Sequence, residues 1–117
     1  MKKVGKLLER LFTSRAEQLK LPVFGDEAPE RRRVVFTGNV QQVGFRFETY
    51  MVVQKVGLTG WVKNRADGAV EAEFQGGPEK IRFVVQYLCS VKRANVTGVE
   101  ERQISLIAEE RAFEITG

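Results

Sequence analysis

Two runs, Gly38-Asn-Val-Gln-Gln-Val-Gly-Phe-Arg46 and Gly60-Trp-Val-Lys-Asn64, hold the residue types in this chain best suited to chemistry. A loop whose backbone N–H groups converge and which opens directly into a helix is an anion site, because those donors and the positive end of the helix dipole both favour negative charge. Arg46, at the expected helix entrance, adds a planar fork of donors matched to phosphate oxygens. Asn64 supplies a carboxamide that can hold a water beside such an anion, though it is too weakly basic to take the water's proton. The chemistry open to this set is phosphoryl transfer, which depends mainly on alignment and charge stabilisation.

The elements that must bring the two runs together are short and alternating. Val34-Val-Phe-Thr37 predicts a first strand ended by Gly38, and Phe45 to Val56 a helix with Phe47, Tyr50, Met51 and Val53 inward and Gly57 as its stop. Leu58 to Asn64 reads as a second strand, Arg65-Ala-Asp-Gly68 as a tight turn, and Ala69 to Gln75 as a third strand. In that strand Val70, Ala72 and Phe74 alternate with Glu71 and Glu73, which read as solvated charges; Trp61 reads as a packed strand residue. Gly76-Gly-Pro-Glu79 opens a second helix with Ile81, Val84, Val85 and Leu88 as its buried stripe and Cys89 as a small core residue. Asn95 to Gln103 and Ala112 to Thr116 complete the strands. The order β-α-β-β-α-β with a short terminal strand is that of an α+β, ferredoxin-like sandwich, two helices covering one face of an antiparallel sheet.

Charge divides the chain. Residues 1–33 hold nine Lys or Arg against five Asp or Glu, whereas residues 34–117 hold ten of each, so the net +4 belongs to the leading segment. A neutral domain lacks the basic footprint that nucleic-acid binding requires. Residues 1–30 read as an extension: Val4, Leu7, Leu8, Leu11 and Phe12 recur at helical spacing, and the charged run Asp26 to Arg33 suggests an exposed linker to a domain spanning 31–117. Self-association or partner docking through residues 2–18 is left open by that amphipathic pattern. No transmembrane run occurs, and a single cysteine, Cys89, suits a cytoplasmic protein. The chain has no histidine, which excludes histidine-based triads and histidine-ligated zinc.

The segments Val40-Gln41, Val43-Gly-Phe-Arg46, Gly57-Leu58 and Gly60-Trp-Val-Lys-Asn64, with Asp67-Gly68 after them, closely resemble the signature of the acylphosphatase family, over about residues 33–116. The resemblance implies metal-independent hydrolysis of the carboxyl–phosphate bond of small acyl phosphates to carboxylate and inorganic phosphate, with no cofactor. It also implies that the backbone of Val40, Gln41, Gln42, Val43, Gly44 and Phe45 cradles the phosphate, that Arg46 is its main ligand, and that Asn64 positions the attacking water. One residue departs from the pattern: Gln42 stands where the family usually has glycine. If that position needs positive φ, glutamine there costs on the order of 1 kcal/mol or more. Other readings are a non-catalytic phosphate or acyl-phosphate binder of the same fold, an acylphosphatase-like domain of carbamoyltransferase type, and a ferredoxin-like RNA-binding module. The neutral domain and the absence of a clustered aromatic strand motif count against the last.

Overall fold

A computed structural model describes residues 16–117. The amphipathic pattern from Val4 to Phe12 lies outside the described residues. After a one-turn 3-10 helix, Ala16–Gln18, come strand β1 (Glu30–Asn39), helix α1 (Phe45–Val56), strands β2 (Thr59–Asn64) and β3 (Val70–Gly76), helix α2 (Pro78–Cys89), and strands β4 (Asn95–Ile104) and β5 (Phe113–Thr116). The five strands form one sheet in the order β4-β1-β3-β2-β5. All neighbours are antiparallel except β5, which adds to the free edge of β2 in parallel, Val62 opposite Ile115. Two helices on a βαββαβ sheet make this the ferredoxin-like α+β fold.

Alternation along the strands sends one set of side chains toward the helices. Val34 and Phe36 on β1, Val62 on β2, and Val70, Ala72 and Phe74 on β3 are fully buried. They meet Val52 and Val53 of α1 and Ile81, Val84 and Leu88 of α2 in one cluster. The α2 stripe is the one predicted from its spacing. On α1 Phe47 and Val53 are buried as expected and Met51 packs partly buried against the core, but the arc also takes in Phe45, Thr49, Val52 and Val56, while Tyr50 is exposed. Stepping three or four residues from Phe45 reaches Thr49 and Val52 and passes over Tyr50. Burial of Val52 and Val53 against the sheet compensates for their low helix propensity. Cys89 lies one position beyond Leu88 and is exposed, not a core residue.

The opposite face of the sheet corrects two expectations. The charged run Asp26 to Arg33 is exposed only in part: it enters β1 at Glu30, and the Arg31 side chain is wholly buried. Its Nε donates to Glu73 Oε1 at 2.8 Å and its Nη1 to Glu110 Oε1 at 2.7 Å, while Arg33 Nη2 donates to Glu73 Oε2 at 2.6 Å. Glu73 is therefore a buried partner of two arginines, not a solvated charge, and Glu71 is half-buried beside Arg33 at 3.5 Å. Burial alone would push the Glu73 carboxyl up. Hydrogen bonds and charge from Arg33 and Arg31 outweigh that and hold it below the ordinary carboxylate range. Gln75 grips Ile107 through both its backbone groups, at 2.9 and 3.0 Å, so residues 105–112 are strapped over this cluster and lead into β5.

Residues 16–29 also pack onto the domain. Lys55 Nζ donates to the Glu17 carbonyl at 2.6 Å, Phe24 meets Phe83 edge-on at 5.7 Å, and the Glu27 carboxylate accepts from the Glu79 amide at 2.8 Å, capping the start of α2.

Candidate active site

β1 leaves the sheet at Asn39, just beyond a bulge against β4 at Thr37 and Gly38. Residues 40–44 then cross to α1. Within this loop Gln42 has φ +62° and Gly44 φ +78°, with Val43 between them at negative φ. Such alternation turns successive N–H groups toward one concavity. Glycine takes this geometry freely, whereas Gln42 adopts it at a cost, so the non-glycine residue has not rerouted the chain. Gly44 is the N-cap of α1, and no side chain caps that end. The first-turn amides and the positive end of the helix dipole thus face the loop. Among the described residues, the N–H groups of Gln41, Gln42, Val43 and Gly44 donate to no backbone or side-chain acceptor.

Arg46 lies in the first turn of α1, half-buried, with Nη1 donating to the Gly117 carbonyl at 3.0 Å. Asn64 ends β2 opposite Val70, immediately before the turn to β3. Gly60 lets β2 lie where it does: at φ +136° a Cβ would overlap the Glu73 carbonyl across the ladder. The glycine of the second run therefore serves strand pairing, not chemistry. Trp61 is half-buried, with the Lys63 ammonium 5.4 Å from its ring centroid.

Val40, Gln42, Gly44, Phe45, Arg46 and Asn64 line one cavity of about 190 Å³. Two further residues of the sequence set do not line it. The Gln41 carboxamide turns away to the β2–β3 turn, its Nε2 donating to Arg65 O at 2.8 Å and Ala69 O at 2.9 Å. Val43 packs against the core, and its carbonyl accepts from Arg93 Nε at 3.2 Å. Phe47, expected from the sequence only as an inward helix residue, and Ile115, expected only as part of the last strand, complete the lining. Ile115 arrives through the parallel β2–β5 pairing, which no local pattern announces.

A larger cleft of about 450 Å³ lies near Leu19, Glu48, Tyr87 and Arg93. Its carboxylate is already engaged, Glu48 accepting from Tyr87 Oη at 3.0 Å and Arg93 Nη2 at 2.9 Å. The smaller cavity has the better chemistry, since an uncapped helix end, a curled loop, a guanidinium and a carboxamide converge there.

The sequence profile of the acylphosphatases matches residues 32–115. The chain belongs to the acylphosphatase family. An acylphosphatase of Rhizobium etli is 40% identical over 89 residues, 75% of this chain and 95% of that one. One of Picrophilus torridus is 48% identical over 54 residues, 46% of this chain and 67% of the relative. The crystal structure of acylphosphatase from Bacillus subtilis superposes with a TM-score of 0.71 at 30% identity, over 75% of this chain and 99% of that one. As an acylphosphatase the chain is a hydrolase acting on acyl phosphates, and the non-catalytic binder is the less favoured reading. Among the described residues no helix is long and apolar enough to cross a membrane.

Proposed function

We propose that the carboxyl–phosphate bond is hydrolysed in the cavity between the 40–45 loop, Arg46 and Asn64. The phosphoryl group sits in the concavity of the loop amides, and Arg46 neutralises its equatorial oxygens. The Asn64 carboxamide accepts from a water and donates to a phosphoryl oxygen, aiming the water oxygen at phosphorus. As the new P–O bond forms, the bond from phosphorus to the acyl oxygen breaks, a carboxylate departs, and the water's proton passes to a phosphate oxygen or to solvent. The carboxylate is a weak base and leaves without a general acid, so neither histidine nor a metal ion is needed in this scheme. The observation that carries the proposal is that one cavity is lined by Arg46, Asn64 and the positive-φ loop together.

The test is hydrolysis of benzoyl phosphate by the full chain in excess EDTA. Phosphate release that falls at least about a thousandfold in Arg46→Ala and about a hundredfold in Asn64→Ala supports the assignment. Near wild-type turnover in either variant overturns that residue's role. We further assign the catalytic unit to residues 31–117, with 16–29 strapped across it, and place the enzyme in the cytoplasm, the single cysteine supporting a reducing compartment. Docking or self-association through residues 2–18 is read by sedimentation of the full chain across a concentration series.

A further inference from the structure

We infer that Gln41 is a positioning residue for the hydrolysis: its side chain sets the spacing between the phosphate loop and Asn64. The inference rests on the hydrolase reading above. Both partners of the Gln41 carboxamide are carbonyl oxygens, Arg65 O at 2.8 Å and Ala69 O at 2.9 Å, so its nitrogen faces them and both of its hydrogens are used. Those two carbonyls lie at either end of the turn that follows Asn64. Arg65 is the next residue after Asn64, and Ala69 directly precedes Val70, the ladder partner of Asn64. The turn is itself closed by Arg65 N to Ala69 O at 2.8 Å and Gly68 N to Arg65 O at 3.2 Å.

Gln41 thus joins the phosphate loop to the hairpin at the point where the hairpin presents its carboxamide. Its backbone neighbour is Gln42, whose φ of +62° forms the curl of the loop. The sheet already links β1 to the end of β2, since Val70 pairs with both Phe36 and Asn64, but the loop itself lies beyond that ladder, and Gln41 supplies its side-chain tie to the turn after Asn64. Without the clasp, the phosphate is still held by the loop amides and Arg46, while the loop that carries it loses its side-chain tie to the hairpin and can shift relative to Asn64. In-line attack is intolerant of such shifts, a displacement of roughly 1 Å being enough to cost about a hundredfold.

Gln41→Leu leaves a branched, uncharged side chain one atom shorter and removes both donors. Each carbonyl retains its backbone partner, so the hairpin keeps its closing bonds. On the full chain, kcat for benzoyl phosphate is expected to fall at least about tenfold while the dissociation constant of inorganic phosphate, from an NMR titration, changes less than about threefold. A kcat within about twofold of wild type, or equal losses of kcat and phosphate affinity, overturns the inference. If Gln41→Leu does not fold, Gln41→Glu decides. Its carboxylate would face two carbonyl oxygens, and protonation would restore a donor to one of them, so its kcat relative to wild type must fall as pH rises through that titration. A flat ratio overturns the inference. Absence of turnover by the wild-type chain would instead sink the hydrolase reading itself, a result that the same assay separates from failure of the clasp.

Discussion

Gln42 offers a direct measurement of how much the phosphate loop costs the fold. Its φ of +62° is in the left-handed region, where an L-residue loses roughly 1–2 kcal/mol to the approach of Cβ and the next carbonyl. Glycine removes that term, but it also enlarges the unfolded ensemble, giving back about 0.4–1 kcal/mol. Gln42→Gly should therefore stabilise the chain by about 0.5–1 kcal/mol, which for a domain of this size raises Tm by roughly 2–5 °C. Gln42→Ala separates backbone from side chain. It keeps the strain and deletes an exposed carboxamide, so it should lie within about 0.5 kcal/mol of wild type and below the glycine variant. Urea unfolding followed by circular dichroism, with the m-value held constant across the three chains, gives the differences. Benzoyl phosphate turnover of Gln42→Gly should stay within about threefold of wild type, because the backbone path and not the side chain forms the concavity. A glycine variant less stable than the alanine one would refute the reasoning, since it would mean that residue 42 carries no left-handed strain.

The Glu73 carboxyl has its folded pKa below the ordinary 4.5 because of Arg33 and Arg31, so the unfolded state binds the proton first as pH falls. The contribution of this carboxylate is fully present above about 4.5 and is lost below it, as pH descends through the folded value; urea midpoints from pH 6 to 3 should fall less steeply in Glu73→Gln than in wild type, and parallel slopes would contradict this. Gly60→Ala forces a Cβ into the Glu73 carbonyl and should destabilise by roughly 3 kcal/mol or more, seen as a lowered thermal midpoint; a midpoint within about 2 °C of wild type would show that β2 and β3 can separate without cost. Ile115 lines the cavity and is 41% exposed. Ile115→Glu sets a negative charge beside an anionic substrate and should lower kcat/KM about five- to tenfold, an effect that shrinks as salt is added. A loss indifferent to ionic strength would assign it to packing instead.

The amino-acid order discloses whatever local chemistry decides. α1 begins after Gly44 and stops before Gly57 because the two glycines take left-handed φ at its ends, and the Asp67-Gly68 step closes the hairpin that carries Asn64. The alternation Val70, Ala72, Phe74 named the core face of β3. What stayed hidden depended on partners distant in the chain. Arg31, Arg32 and Arg33 look like solvated charge until Glu73, 42 positions from Arg31, and Glu110 arrive to neutralise a buried guanidinium. The Gln41 carboxamide gives no sign of its destination, since the same side chain serves as well in water. Ile115 became part of the cavity only through a parallel register with β2 that terminal residues do not encode locally. Cys89 is exposed although Leu88 is buried, because the next residue on a helix points about 100° away.

The strap over Arg31 bears on how long the folded molecule lasts. Arg31 and Glu110 are 79 positions apart, and β3 must already be paired before Glu73 can reach the same guanidinium. Until both arrive the arginine is unpaired, and contacts this distant in the chain close large loops that are entropically costly to form early. Bonds that form after the barrier must be broken on the way back up it, and they slow escape without hastening arrival. The cluster on the back of the sheet, remote in role from the phosphate, is therefore expected to act on lifetime: Glu110→Gln should quicken unfolding and leave refolding unchanged, and a slowed refolding arm of the chevron would contradict it.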